Sequence, residues 1–197
     1  AGHSGVAPEQ GAVGAGTGMS CFGWKGGVGT SSRIVTGGWT VGVVLLTNFG
    51  QWHRLTVAGR LVGPELGQPE HLAPPPAGSC LGIAVTDAPV DAAGCERLAR
   101  RIGLGLARTG STAHHGSGEI FLAAALGLRR PREGTTGPVP SALSGRELDP
   151  LFEAVVDASE EAVLSSLLAA QDTTGVGGRT IPALPVDALR RVLGSST

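Results

Sequence analysis

The chain has 197 residues, 41% of them hydrophobic, which is enough to fill one core, so a single domain over residues 1–197 is expected. A formal net charge of -1 supplies no field to draw in a phosphate backbone or an anionic membrane, which argues against nucleic acid and lipid as partners. Cys21, Cys80 and Cys95 are odd in number and show no CxxC spacing, so neither a disulfide framework nor a zinc knuckle is suggested, and all three are expected to be reduced and mostly buried.

No stretch reaches the roughly 18 apolar residues needed to cross a bilayer, and the start lacks a charged-then-apolar signal pattern. A soluble chain follows, with the cytoplasm favoured. The start at Ala1 and the absence of tyrosine lead us to expect the C-terminal portion of something longer.

In chain order, Gly11 to Gly38 is dense in glycine and predicts tight turns and close backbone approach, not a packed helix. Val41 to Thr47 (VGVVLLT) and Leu81 to Thr86 (LGIAVT) are β-branched apolar runs of the kind found in fully buried strands. Asn48 follows the first run and Ser79 precedes the second. Between them Gln51 to Gly78 is polar and ends near Pro74, Pro75 and Pro76; a loop of this length is usually functional or disordered, and here it would deliver one particular peptide bond.

Asp91 can cap a helix running to about Arg108, with Leu98, Ile102 and Leu106 on one face. A strand is expected over Ile120 to Ala124. Arg129 to Ser144, rich in Pro, Gly and charge, reads as a surface loop. Asp149-Pro150 starts a long helix closing near Gly175, whose apolar stripe should pack on a sheet. Buried strands under helices give a mixed α+β class.

Several familiar sites can be set aside. The run GAVGAGTG (Gly11 to Gly18) follows no apolar strand and is not followed by an acid at the distance a dinucleotide loop needs. GGVGTSS (Gly26 to Ser32) lacks the P-loop lysine, since Lys25 precedes the glycines. His114 and His115 are adjacent and lack a third ligand at a familiar spacing. No GxSxG elbow occurs, so a hydrolytic serine needs another means of activation.

The Gly78-Ser79 bond offers one. Gly78 has no side chain to obstruct attack on its carbonyl by the Ser79 hydroxyl, and cleavage would leave Ser79 with a free amine. An α-amino group titrates at about 7.7–8.0, so it can serve as base for its own hydroxyl. A Gly-Ser pair is by itself usually only a turn; likewise Ser117 and Glu119 could be a polar pair in a glycine turn, and Asn48 a residue ending a strand.

Longer segments add specificity: GAVGAGTGMSCFGWKGGVGTSSR (Gly11 to Arg33), VGVVLLTNFG (Val41 to Gly50), GSCLGIAVTDAP (Gly78 to Pro89) and TGSTAHHGSGEIFLA (Thr109 to Ala123). Together with LDPLFEAVVDASEEAVLSSLLAAQ and the closing PALPVDALRRVL, they resemble the D- and L-aminopeptidase/esterase and β-peptidyl aminopeptidase family of N-terminal-nucleophile serine peptidases. The resemblance runs in order over nearly the whole chain.

It implies a precursor that cuts itself between Gly78 and Ser79 into 1–78 and 79–197, with Ser79 as nucleophile. It further implies that Ser117 and Glu119 orient and polarise Ser79, and that Asn48 donates to the tetrahedral oxygen. The implied fold is a four-layer α/β/β/α sandwich, assembled into a homo-oligomer of processed units. The implied activity is hydrolysis of N-terminal residues from small peptides, amides or esters, with no metal or organic cofactor. Family precursors carry a region ahead of the glycine-rich segment that lends a tyrosine and an acid to the pocket; this sequence has no match to it. Two alternatives stand beside this reading: acyl transfer of the ornithine acetyltransferase type, which uses threonine where this chain has Ser79, and a non-processing remnant acting only as a structural or binding module.

Overall fold

The computed structural model describes residues 7–69, 78–130 and 140–194. Pro74, Pro75 and Pro76, and the middle of the expected Arg129–Ser144 loop, lie outside the described residues.

The glycine-rich segment opens with a 3-10 turn over Gly14–Gly18, followed by a small hairpin of β1 (Ser20–Cys21) and β2 (Trp24–Lys25). It then forms β3 (Val28–Ile34), a seven-residue strand where turns were expected. The sequence VGTSSRI carries no apolar alternation. Its ladder to β4 (Thr40–Asn48) holds it instead. The polar Gln51–Gly78 region contains the hairpin β5 (Thr56–Val57) and β6 (Arg60–Leu61) and a short helix α1 (Gly63–Leu66). β7 (Ser79–Thr86), α2 (Ala92–Arg108) and β8 (Gly118–Ala125) form a crossover unit that brings β8 parallel to β7. α3 (Asp149–Leu168) follows, then the hairpin β9 (Thr173–Thr174) and β10 (Thr180–Ile181), and finally α4 (Val186–Gly194).

The main sheet has the order β3-β4-β7-β8, with β4 antiparallel to both β3 and β7. Strand alternation sends Val41, Val43, Leu45, Cys80 and Ala84 to one face, where α2 and α3 cover them. The Asp91 carboxylate caps α2 as expected, accepting from the Gly94 N–H at 2.7 Å, and Leu98, Ile102 and Leu106 are buried against the sheet. α3 begins at Asp149-Pro150 as read, but it ends at Leu168 and not near Gly175. The chain needs the intervening residues to turn into β9. α3 lies close over β3: a Cβ on Gly29 would overlap the Ala162 carbonyl, so only glycine permits this approach.

The opposite face of the sheet is apolar and uncovered by described residues: Val44 is 46% exposed, Ile120 59% and Leu122 60%. One helix layer and one sheet layer are therefore present, with an apolar sheet face open for further layers. No helix among the described residues is long and apolar enough to cross a membrane.

Candidate active site

β4 runs antiparallel to β7, so its last residue meets the first residue of β7; β8 runs parallel to β7, so its first residue arrives at the same end. The result is a row of three strand termini. Asn48 pairs with Ser79 on one side, and Gly118 pairs with Ser79 on the other. Alternation turns the side chains of Asn48 and Ser79 to the sheet face that the helices leave open.

Gly78 stands just before this row. Its carbonyl oxygen accepts a hydrogen bond from the Gly118 N–H at 3.2 Å. A Cβ at Gly78 would lie 2.9 Å from the Asn48 carbonyl oxygen and 3.0 Å from the Phe49 Cα, so glycine is what lets the chain thread beside the end of β4. Gly50 is fixed similarly: its φ is +92°, and a Cβ would sit 2.6 Å from the Phe22 ring.

The Asn48 side chain is held through its oxygen. Oδ1 accepts from the Ser20 N–H at 3.2 Å, an acceptor role only the amide oxygen can fill, so Nδ2 remains free to donate elsewhere. Next to it Thr47 is fully buried: its Oγ1 lies 2.9 Å from Ser166 Oγ on α3 and donates to the Gly27 carbonyl at 3.1 Å. This network anchors the end of β4 to α3 and to the glycine-rich turn.

Ser117 Oγ donates to Glu119 Oε1, so the two residues act as one polar unit around Gly118. Glu119 pairs with Cys80 in the ladder, and alternation sends it to the face opposite the Ser79 side chain. The Ser79 hydroxyl, half-buried, makes no hydrogen bond to a described residue. Asn48, Gly78 and Ser79 are thus brought together directly, while Ser117 and Glu119 flank them from the β8 edge.

A cavity of about 550 Å³ opens at this end of the sheet, with Ser20, Asn48, Gly78, Ser117, Arg54 and His114 in its wall. Its described wall contains arginines and histidines but no carboxylate. His114 bonds Thr112 at 3.1 Å. Among the described residues no group of three or more His, Cys, Asp and Glu side chains could hold a metal. Behind the site, burial pushes the Cys21 thiol up to about 12 and the Cys80 thiol still higher, the latter aided by Cys21 and Glu119. Neither is a nucleophile at working pH.

The Gly78-Ser79 peptide bond thus lies between a side-chain amide across the ladder and a backbone donor on the Gly78 carbonyl. The profile of peptidase family S58 matches residues 1–181. The chain belongs to peptidase family S58. It is 39% identical to the beta-peptidyl aminopeptidase BapA of Sphingosinicella microcystinivorans over 93% of this chain and 51% of that protein. The L-aminopeptidase D-Ala-esterase/amidase of Ochrobactrum anthropi, described as a variant of the Ntn hydrolase fold, superposes with a TM-score of 0.84 at 35% identity, covering 95% of this chain and 53% of that one. The PH0078 protein of Pyrococcus horikoshii OT3 gives a TM-score of 0.83 at 41% identity, covering 96% of this chain and 53% of that one.

This S58 chain therefore spans about half the length of the curated relatives it matches. The α+β expectation and its self-cleaving-hydrolase type agree with these likenesses, and the described residues supply one sheet layer and one helix layer of that type. Sequence reading passed over two groups that the structure brings to the site, Ser20 and the Gly118 N–H, and a third, Lys25, that lies behind Ser20 on the Met19 carbonyl. Only Lys25 carried a signal, as the one lysine in the chain, and it entered the reading solely as a failed P-loop residue.

Proposed function

We propose that this chain cleaves its own Gly78-Ser79 bond and that Ser79, as the new N-terminal residue, serves as nucleophile of an aminopeptidase. The observation that carries this reading is the hydrogen bond from the Gly118 N–H to the Gly78 carbonyl oxygen, in a row where Asn48 faces Ser79. A donor already aimed at the oxygen that becomes negative needs no reorganisation in the transition state.

In the first step Ser79 Oγ attacks the Gly78 carbonyl carbon. The C–N bond breaks, leaving Gly78 esterified to Oγ and the Ser79 nitrogen as a free amine. Water then hydrolyses the ester, giving residues 1–78 and 79–197. In turnover the amine, titrating at about 7.7–8.0 like other α-amino groups, takes the Oγ proton as Oγ attacks the substrate carbonyl. Asn48 Nδ2 donates to the tetrahedral oxygen, the substrate's amine or alcohol leaves, and water hydrolyses acyl-Ser79. Ser117 and Glu119 act as a coupled polar pair that orients and polarises the processed Ser79.

The substrates are small peptides, amides or esters, and the relatives' names point to β-peptide, L-amino-acid and D-alanine derivatives as the first panel. Processed units form a homo-oligomer, and the protein acts in the cytoplasm. Family membership and serine in place of threonine weigh against acyl transfer.

The intact mass of the purified protein under denaturing conditions tests the reading. Fragments 1–78 and 79–197, absent in Ser79→Ala, support it. An uncut chain with no hydrolysis of the panel refutes it and favours the non-processing alternative.

A further inference from the structure

Lys25 is fully buried, yet no carboxylate among the described residues pairs with it. All three ammonium hydrogens go to backbone carbonyls: Gly16 O at 3.0 Å, Gly26 O at 2.8 Å and Met19 O. Burial lowers its affinity for the proton, so the fold bears a cost to keep a cation here. Knotting the glycine-rich turn would be reason enough for a hydrogen-bonding group, but not for this particular set of partners.

The Met19 carbonyl belongs to the same peptide unit as the Ser20 N–H, and that N–H holds Asn48 Oδ1 at 3.2 Å. A cation on the carbonyl oxygen draws electron density through the planar amide and makes the N–H a stronger donor. A fixed donor on Oδ1 in turn fixes the Asn48 amide and strengthens Nδ2 as a donor towards the cavity.

We propose that Lys25 is a positioning residue for Asn48, acting through the Met19–Ser20 peptide so that a buried positive charge supports the tetrahedral oxygen at the far end of a hydrogen-bonded chain. The inference rests on the reading of Asn48 as oxyanion donor. Lys25 itself touches no reacting atom. Substrate charge develops at the Nδ2 end, and the ammonium answers it from the other end without entering the cavity.

The test is a double-mutant cycle in the full chain, with self-cleavage followed by intact mass and turnover by kcat and KM. Lys25→Gln is neutral and keeps amide donors; Lys25→Met removes them. Each should lower kcat by about 10- to 100-fold with KM little changed, the range seen when a supporting outer partner is lost. In an Asn48→Ala background the same changes should cost less than about twofold, because their route to the oxygen is gone. An equal loss in both backgrounds overturns the inference while leaving the reading of Asn48 intact. If Asn48→Ala is itself without effect, the reading fails and the inference with it.

A second readout needs no activity: hydrogen exchange at the Ser20 amide in Ser79→Ala protein should quicken by about tenfold or more in Lys25→Gln while the β4–β7 ladder keeps its protection. Unchanged Ser20 exchange overturns the proposal. So does global unfolding of both Lys25 variants by circular dichroism, which would assign Lys25 to stability alone.

Discussion

Asn48 and Ser79 are direct partners in the antiparallel ladder of β4 and β7, and alternation turns both side chains to the same uncovered face of the sheet. The two side chains on adjacent strand ends are held at fixed separation by backbone hydrogen bonds, not by loop geometry, as the proposed pairing of nucleophile and amide donor requires. Asn48→Ala should therefore lower kcat by about 10²- to 10³-fold, with KM little changed, since the donor acts on charge that appears only in the transition state. Steady-state kinetics on a chromogenic amide checks this. An equal rise in KM would reassign Asn48 to substrate binding.

Gly78 is confined by backbone, with the Asn48 carbonyl and the Phe49 Cα about where a side chain would go. Gly78→Ala must move the Gly78 carbonyl, part of the bond proposed to be cut, away from the Gly118 N–H or push the end of β4. Displacements of this size can cost about 10²-fold when reacting atoms must be aligned, so fragments 1–78 and 79–197 should appear far more slowly than in the parent chain. A time course of intact mass under native conditions measures the rate. Undiminished cleavage would show that the 3.2 Å hydrogen bond to Gly118 plays no part in it.

The two apolar strands and the two long helices were legible because their signals are local: β-branched runs for β4 and β7, an Asp91 cap and four-residue spacing for α2, and Asp149-Pro150 for α3. β3 was not, since its place comes from the ladder to β4 and from α3 passing over Gly29. For the candidate site, Ser79, the Gly78-Ser79 bond and Asn48 were singled out by motif resemblance, and the structure brings them together at one end of the sheet. Their common face was not legible, because it depends on a register between strands some thirty residues apart. The link from Ser20 to Asn48 and the burial of Lys25 are tertiary facts without a local sequence signature.

The cysteines give a prediction in which pH matters. Cys21 and Cys80 are buried, and desolvation raises both thiols, Cys21 to about 12. Cys95 is only half-buried; burial and then the nearby Asp91 carboxylate raise it, while a backbone hydrogen bond from Ala125 opposes them. Folded protein at pH 8 should react with a disulfide reagent slowly and at one thiol, Cys95, whereas protein in guanidinium should release the equivalent of three. Peptide mapping of the labelled site distinguishes this from reaction at Cys80, which would require the start of β7 to open.

Helix packing yields a pair of substitutions with opposite signs. Ser159 on α3 is fully buried, and its Oγ finds no hydrogen-bond partner among the described residues. It sits where α2 passes close by: a Cβ on Gly105 would meet the Ser159 Cβ at 2.5 Å. A buried hydroxyl without a partner costs about 1 kcal/mol or more, so Ser159→Ala should raise Tm by at least about 2–4 °C despite the smaller side chain. Gly29→Ala does the reverse, forcing a methyl into the Ala162 carbonyl where α3 crosses β3, and should destabilise by about 1–3 kcal/mol. Thermal melts of the two variants against the Ser79→Ala parent, which keeps the chain uncut, read both effects. A fall in Tm for Ser159→Ala would mean that the hydroxyl is satisfied in solution, and no change for Gly29→Ala would mean that α3 can slide on β3 without loss.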